Sequence, residues 1–434
     1  MKRLWLFIFP LLFLPTFGHS IATQFGVLEI SDLLILPLVT VVLLSPHRKR
    51  RQQLSTIYGF CLVFAVWALF STLTMLVRYP TEELTVEVYC ILKLGKAVLF
   101  VMAIVMMVKR LDNPQDYSNW LWSLLGAMMA LSIGAFVEAS SYAEATTEIG
   151  VGSKTYNEIS VAIAILTSYV AGLWFAGIGN RKWRIAAALT VVLAPLSLVL
   201  TTSEQNHGRG GWVALGAGLS YLIWTRLRSV SVLKSFSAVV ALAIICGLLI
   251  GAYSAVPKFR DRVNETVFAK TDYAPIRTSY GELDDGERFS IWVDEAPKLI
   301  DSPVLGTGFF HRGGESSIAQ WGSHNYFIQI FLETGLVGGI CVLAIFWRMW
   351  QGAGCAAARE AKVAVATRSA LIAAVVGGMS GEYFYGGLGL LALFAAYAWA
   401  GSRPQVRIMS RRTVPLVHIQ NRMNPQALSA RGPQ

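Results

Sequence analysis

The chain has 434 residues, of which 54% are hydrophobic and 15% are charged, and its formal net charge is +11. This composition excludes an ordinary soluble protein of this length and is typical of a protein whose solvent is lipid. Lys and Arg are concentrated in short loops between apolar stretches, a pattern that marks membrane topology, so we do not predict a nucleic-acid partner.

Apolar stretches long enough to cross about 30 Å of hydrocarbon recur along the whole chain. They predict an all-α polytopic membrane protein of about twelve transmembrane helices. The predicted spans are 4–18, 25–45, 55–77, 88–108, 119–138, 158–178, 185–202, 209–225, 235–254, 324–347, 367–384 and 387–400. The first span has an alternative interpretation as a signal peptide, because a short apolar run follows Lys2 and Arg3.

The distribution of charge orients these spans. Lys and Arg fall in alternate loops and Glu in the opposite ones, which predicts that both termini are cytoplasmic. Residues 1–254 then hold helices 1–9, residues 255–323 form a large, partly helical loop outside the cytoplasm, and residues 324–401 hold helices 10–12. The basic tail 402–434 is expected to be a disordered cytoplasmic segment. Within the large loop, residues 274–286 are polar and predict a mobile segment.

The first candidate site motif is the stretch Gly208-Arg209-Gly210-Gly211-Trp212, where the predicted eighth span begins. Because that span runs inward, its N-terminal amides and the positive end of its dipole face the outer compartment. Glycines let an anion approach those amides, and a guanidinium fits phosphate oxygens. The alternative is an interfacial Arg that snorkels beside a tight turn.

A second candidate is Arg288, near the start of a predicted helix in the large loop. On sequence grounds alone an Arg in such a loop is ordinarily a solvated residue, or here a partner for Glu287 or Asp284. The third candidate is His324, followed by Asn325, where the tenth span begins. A helix N-terminus disfavours the imidazolium, so we expect a neutral His324 that can accept a proton. The alternative is an interfacial His capped by Ser323 or Asn325.

Charged residues in and near the early spans are further candidates for binding an anionic substrate. Lys93 and Lys96 lie one turn apart inside the fourth span, where each charge costs about 2.5–3.5 kcal/mol. They either extend an anion site inward or pair with Asp32 or Glu29. Arg78 lies at the outer end of the third span, where snorkelling also explains it.

The predicted topology places Arg209, Arg288 and His324 on the same side of the membrane and near the same depth. Two Arg side chains can bind a diphosphate, and a neutral His can remove a proton from a hydroxyl. The combination suits displacement of a lipid-linked diphosphate by a hydroxyl. No acidic cluster accompanies these residues, so we predict neither a metal nor another cofactor.

Residues 180–345 resemble the O-antigen ligase family, whose superfamily also holds O-antigen polymerases and bacterial protein O-oligosaccharyltransferases. The resemblance rests on these motifs: Arg209-Gly210-Gly211-Trp212, Arg288 with Trp292, Pro303, Gly306-Thr307-Gly308, and His324-Asn325 followed by Gln329, Glu333, Gly335 and Gly338.

The resemblance implies a metal-independent, inverting glycosyltransferase of a Gram-negative inner membrane, with its active site facing the periplasm. The donor would be a polysaccharide on undecaprenyl diphosphate, and the acceptor a sugar hydroxyl of lipid A-core oligosaccharide. Arg209 and Arg288 would hold the diphosphate, and His324 would be the base or would position the acceptor, with Asn325 a further substrate-binding candidate. The alternatives are an O-antigen polymerase, a protein O-oligosaccharyltransferase and, from another class, a lipid-linked glycan transporter or flippase.

Overall fold

The structure is a computed structural model that describes part of the chain. The described residues are 4–13, 21–23, 26–28, 30–44, 54–78, 84–109, 114–141, 153–200, 209–229, 276–278, 281–283, 299–308, 325–379 and 388–401, with single positions at 247, 254, 257, 260 and 297. Most of the predicted ninth span, Arg288, His324 and the tail 402–434 lie outside them.

The described chain is predominantly helical. Its helices are α1 Leu4–Leu11, α2 Ile30–Leu44, α3 Leu54–Arg78, α4 Leu84–Lys109, α5 Pro114–Ser141, α6 Ser153–Phe175, α7 Arg181–Leu200, α8 Arg209–Ser229, α9 Tyr326–Gly378 and α10 Leu388–Gly401. From α3 to α8 each helix coincides with one predicted span, because a long apolar run satisfies its backbone most simply as a helix.

Two short antiparallel hairpins depart from the all-α prediction. Strands β1 Ile21–Thr23 and β2 Gly26–Leu28 precede α2, so the second predicted span begins at residue 30 and not at 25. Strands β3 Ile276–Thr278 and β4 Gly281–Leu283 pair within the large loop, where the sequence predicted a mobile segment.

Two described helical segments are long and apolar enough to cross a membrane, Ile57–Arg78 and Tyr326–Ala353. Shorter apolar helical segments lie at Leu33–Leu44, Leu94–Met107, Ile159–Phe175 and Val363–Gly378. One face of α3 exposes only large apolar side chains, namely Leu62, Val66, Phe70, Leu73 and Val77. Such a face is typical of contact with lipid, whereas the number of twelve spans stays a prediction.

The N-terminal helix α1 contacts the bundle at a point where one of its own backbone hydrogen bonds is missing. Pro10 has no N–H, so it cannot donate to the carbonyl of Leu6 four residues earlier. The hydroxyl of Ser123 on α5 donates to that carbonyl instead, at 2.8 Å. Phe9 is fully buried and its ring centroid lies 4.9 Å from that of Trp120 on α5. This segment is therefore part of the helical core.

Helices α6 and α8 and the segment Val363–Gly378 pack closely at small residues. Any Cβ at Gly211 of α8 would lie 2.6 Å from the Cβ of Ser160 on α6. A Cβ at Gly172 of α6 would lie 2.5 Å from the Cα of Ala366. Helices in lipid gain from such close approach because packing, and not hydrophobic exclusion, drives their association.

Helix α9 is not a straight rod. Along a straight helix, Trp350 and Arg368 would be about 27 Å apart at 1.5 Å per residue. The guanidinium carbon of Arg368 nevertheless lies 4.8 Å from the centroid of the Trp350 ring. The chain therefore reverses between them, as the separate spans predicted at 324–347 and 367–384 require.

Candidate functional site

A second interruption of α9, at Gly335, shapes the region next to His324. In a continuous helix the Leu336 amide would donate to the carbonyl of Leu332. It donates instead to the carbonyl of Pro303, at 2.8 Å, and Gly335 has a φ of 63°. A left-handed residue of this kind ends a helix, so residues 326–334 form a short leg and residues 336–353 a long leg.

The carbonyls at the end of the short leg are bonded by residues 302–308, which we term the docked segment. The Thr307 amide donates to the carbonyl of Leu332 at 2.8 Å, and the Gly308 amide donates to that of Glu333 at 2.9 Å. The two backbones touch so closely that a Cβ at Gly306 would lie 2.5 Å from the carbonyl carbon of Glu333. This contact requires glycine and gives the Gly306-Thr307-Gly308 motif a structural reason.

Helix α3 supplies two more donors to the same place. The indole Nε1 of Trp67 donates to the carbonyl of Thr334 at 2.8 Å. The hydroxyl of Ser71, which is fully buried, lies 2.5 Å from the carbonyl oxygen of Leu305 and 3.2 Å from that of Glu333. The docked segment, the short leg and α3 therefore meet through backbone groups that the break at Gly335 leaves available.

The short leg begins with a side-chain cap. The side-chain oxygen of Asn325 accepts from the amides of Phe327 and Ile328, at 3.0 and 3.3 Å, and Asn325 is 6% exposed. This interaction is the standard way to satisfy the first amides of a helix. The predicted base His324 directly precedes the cap in the sequence and lies outside the described residues.

A buried polar pair lies along the short leg. The side-chain amide of Gln329 donates to Glu333 Oε1 at 2.5 Å, and the two residues are one helical turn apart. Both are buried, and Glu333 is only 2% exposed. Tyr326 is buried as well, near enough to Glu333 to interact with it electrostatically. The short leg thus carries polar groups into the helical core.

The two legs fold back on each other. The ring centroids of Phe327 and Phe346 are 5.6 Å apart, although a straight helix would separate these residues by about 28 Å. The Asn325 end of the short leg therefore lies beside the part of the long leg near Phe346, about 16 Å along that leg from Gly335. The predicted span 324–347 overlaps Tyr326–Ala353, which is long and apolar enough to cross a membrane, and the chain turns back within it at Gly335.

Arg209 opens α8, as the sequence predicted, although its side chain lies outside the described residues. The glycine two residues later has a packing role, because Ser160 fills the space that a Cβ of Gly211 would need. The approach of an anion to the amides at the start of α8 stays a prediction.

The remaining candidates are spread over α3 and α4. Lys96 is 6% exposed, and its ammonium lies 5.5 Å from the centroid of the Phe100 ring, within reach of a cation–π interaction. Lys93 lies one turn earlier on α4, with its side chain outside the described residues. Arg78 is the last residue of α3 and is exposed. The side chains of Arg209, Arg288 and His324 lie outside the described residues. Their convergence at one site therefore stays a prediction.

Sequence reasoning missed Trp67 and Ser71, because an indole and a hydroxyl inside an apolar run look like ordinary span residues. The break itself had a signal, since Gly335 interrupts an apolar run directly after Glu333 and Thr334. Among the described residues no group of three His, Cys, Asp or Glu side chains could hold a metal ion.

Comparison with known protein families gives a match in this region. Residues 190–343 match the family described as O-antigen ligase. This part of the chain is similar to O-antigen ligases. The matched residues include the start of α8, the docked segment, the short leg and the first part of the long leg, to residue 343. No curated protein matches the chain.

This similarity supports a glycosyl-transfer function of the ligase or polymerase type for residues 190–343. It also implies lipid-linked polysaccharide and lipid A-core as general substrate classes, together with a membrane environment.

Proposed function

We propose that this protein transfers O-antigen polysaccharide from undecaprenyl diphosphate to a sugar hydroxyl of lipid A-core oligosaccharide, at the periplasmic face of a Gram-negative inner membrane. The observation that carries the proposal is the O-antigen ligase match over residues 190–343, which contains Arg209, Arg288 and His324. Both chain termini are then cytoplasmic, as the distribution of Lys and Arg predicts.

The proposed reaction is a single displacement. The acceptor oxygen attacks the anomeric carbon of the donor while His324 takes the hydroxyl proton. The bond between that carbon and the diphosphate oxygen breaks, so the configuration inverts and undecaprenyl diphosphate leaves. Arg209 and Arg288 stabilise the negative charge on the leaving group, and no nucleotide or metal takes part.

The described geometry supports these roles at two helix starts. Helix α8 begins at Arg209, and the short leg of α9 begins at Tyr326, two residues after His324 in the sequence. Each helix N-terminus carries a partial positive charge, which favours a diphosphate and keeps a neighbouring imidazole neutral. Lys96, Lys93 and Arg78 would contribute further positive charge for the substrate, and Asn325 would hold the short leg in place beside His324.

The test uses purified protein in detergent with donor polysaccharide on undecaprenyl diphosphate, lipid A-core acceptor and EDTA. We expect transfer by the wild type and a loss of about 10²–10⁴-fold in His324→Ala, the range for removal of a general base. The matched control is His418→Ala, a change of the same kind in the tail, which should transfer at the wild-type rate.

An undiminished rate in His324→Ala would remove His324 as the base. Elongation of the donor without transfer to lipid A-core would favour an O-antigen polymerase, the second candidate that the family match allows. Activity that disappears with EDTA and returns with a divalent cation would show that the reaction needs a metal.

A further inference from the structure

The break at Gly335 leaves the short leg without a continuous helix on its C-terminal side. In water the released carbonyls would be hydrated, but interrupted helices inside a membrane protein need protein partners. The partners here come from the docked segment and from two side chains of α3, Trp67 and Ser71. These two side chains are far from the short leg in sequence and have no assigned role.

Ser71 touches both sides of the interruption. Its hydroxyl lies within hydrogen-bond distance of Leu305 in the docked segment and of Glu333 in the short leg. A hydroxyl has one proton, so it is shared between the two carbonyls and is nearer to that of Leu305. Trp67 bonds the next carbonyl along the short leg, that of Thr334. Helix α3 thus fixes the end of the short leg at two adjacent carbonyls.

The opposite end of the short leg carries the Asn325 cap, and His324 precedes Asn325 in the sequence. The leg is about 13 Å long, so a tilt of about 5° around Gly335 would move the capped end by about 1 Å. Displacements of this size can lower the rate of a displacement reaction about 100-fold, because the reacting groups lose alignment. A bond made at Trp67 or Ser71 can therefore affect chemistry a full leg length away.

We propose that Trp67 and Ser71 are positioning residues for glycosyl transfer: by holding the C-terminal end of the short leg and the docked segment, they set the position of the leg's other end, which Asn325 caps. This inference rests on the proposed function. Neither residue contacts the substrate in this proposal. Their role explains why a buried hydroxyl and an indole N–H in an apolar span donate to the carbonyls of a broken helix.

The test compares Ser71→Ala and Trp67→Phe with the control Thr72→Ala. Thr72 is the neighbouring residue of α3, is equally buried, and donates within α3 to the carbonyl of Ala68 at 2.8 Å. Its variant loses one more methyl group than Ser71→Ala does, so it is the stricter control for packing. Trp67→Phe keeps an aromatic ring and serves if Ser71→Ala does not fold.

For each folded, monodisperse variant, kcat, the donor KM, the melting temperature and amide exchange at Thr307, Gly308 and Leu336 are measured. We expect kcat to fall about 10- to 100-fold in Ser71→Ala and Trp67→Phe, with donor KM changed less than about twofold. Amide exchange at the three positions should be faster in both variants. Thr72→Ala should match the wild type in kcat and in exchange.

A wild-type kcat in both variants would overturn the inference, and so would an equal loss of kcat in Thr72→Ala. A rise in donor KM without a change in kcat would also overturn it, because it would indicate a role in binding and not in alignment. Failure of the proposed function looks different: the wild type itself would then transfer nothing to lipid A-core, whatever the exchange rates at the docked segment.

Discussion

Two regions of this protein hold helices together by opposite means. Where α6, α8 and Val363–Gly378 meet, intact helices approach closely because Gly172 and Gly211 have no side chain to keep them apart. Where the short leg meets the docked segment and α3, the helix is broken and the contact consists of backbone hydrogen bonds. The first kind of contact needs only small residues, whereas the second needs particular donors at particular carbonyls.

The difference indicates how the two regions serve function. Intact helices packed at small residues form a rigid scaffold. A modest substitution in such a scaffold lowers the stability of the protein. A broken helix is retained in a lipid environment only where protein partners satisfy its backbone, and such places line functional sites in other membrane proteins. We therefore expect changes in the scaffold to lower stability alone and changes at the break to lower turnover as well.

The largest effect is expected for Gly335→Ala. Its φ of 63° disfavours any Cβ, and a Cβ there would also overlap the carbonyl of Val304. Strain of this kind costs about 1–3 kcal/mol before the overlap is counted. We expect a lower melting temperature in detergent and loss of transfer activity.

The control for this change is Gly216→Ala on α8, where a Cβ would meet nothing within 4 Å. It should melt and turn over like the wild type. Wild-type turnover in Gly335→Ala would contradict the view that the break positions the site.

A smaller effect on stability, and none on turnover, is expected for Gly172→Ala in the scaffold. The added methyl would overlap Ala366, and overpacking of this kind costs about 1–3 kcal/mol. Thermal unfolding should shift to lower temperature, while kcat per folded molecule stays at the wild-type value. A fall in kcat comparable with that of Ser71→Ala would contradict the view that only the region of the break affects turnover.

The smallest change in stability is expected at the cap of the short leg. Asn325→Ala removes the acceptor for the amides of Phe327 and Ile328, a loss of about 1 kcal/mol. Asn325→Asp keeps an acceptor oxygen and suits the helix dipole, so it should restore the melting temperature.

Turnover then separates two roles for Asn325. If the residue acts only as a cap, Asn325→Asp should restore kcat together with stability. Restored stability with low kcat would show that the side-chain amide also contacts the substrate, as the resemblance to O-antigen ligases allows.

Much of the architecture follows from local sequence. The apolar runs of α3 to α8 predict helices at the observed places, and the start of α8 at Arg209 was read from its glycines and its position after an apolar run. These features depend on residues close together in the chain, since a helix satisfies its own backbone wherever about 20 apolar residues follow one another. The family motifs likewise lie in short stretches of sequence.

The tertiary structure decided how α9 is divided. An apolar run from Tyr326 onward predicts one span, and only the contacts of Gly335 with the docked segment show that the chain turns back there. The same holds for Trp67 and Ser71, whose partners lie more than 230 residues away in the chain. Donors and acceptors that find each other across such distances leave no periodic pattern in sequence, because their pairing is a property of the packed bundle.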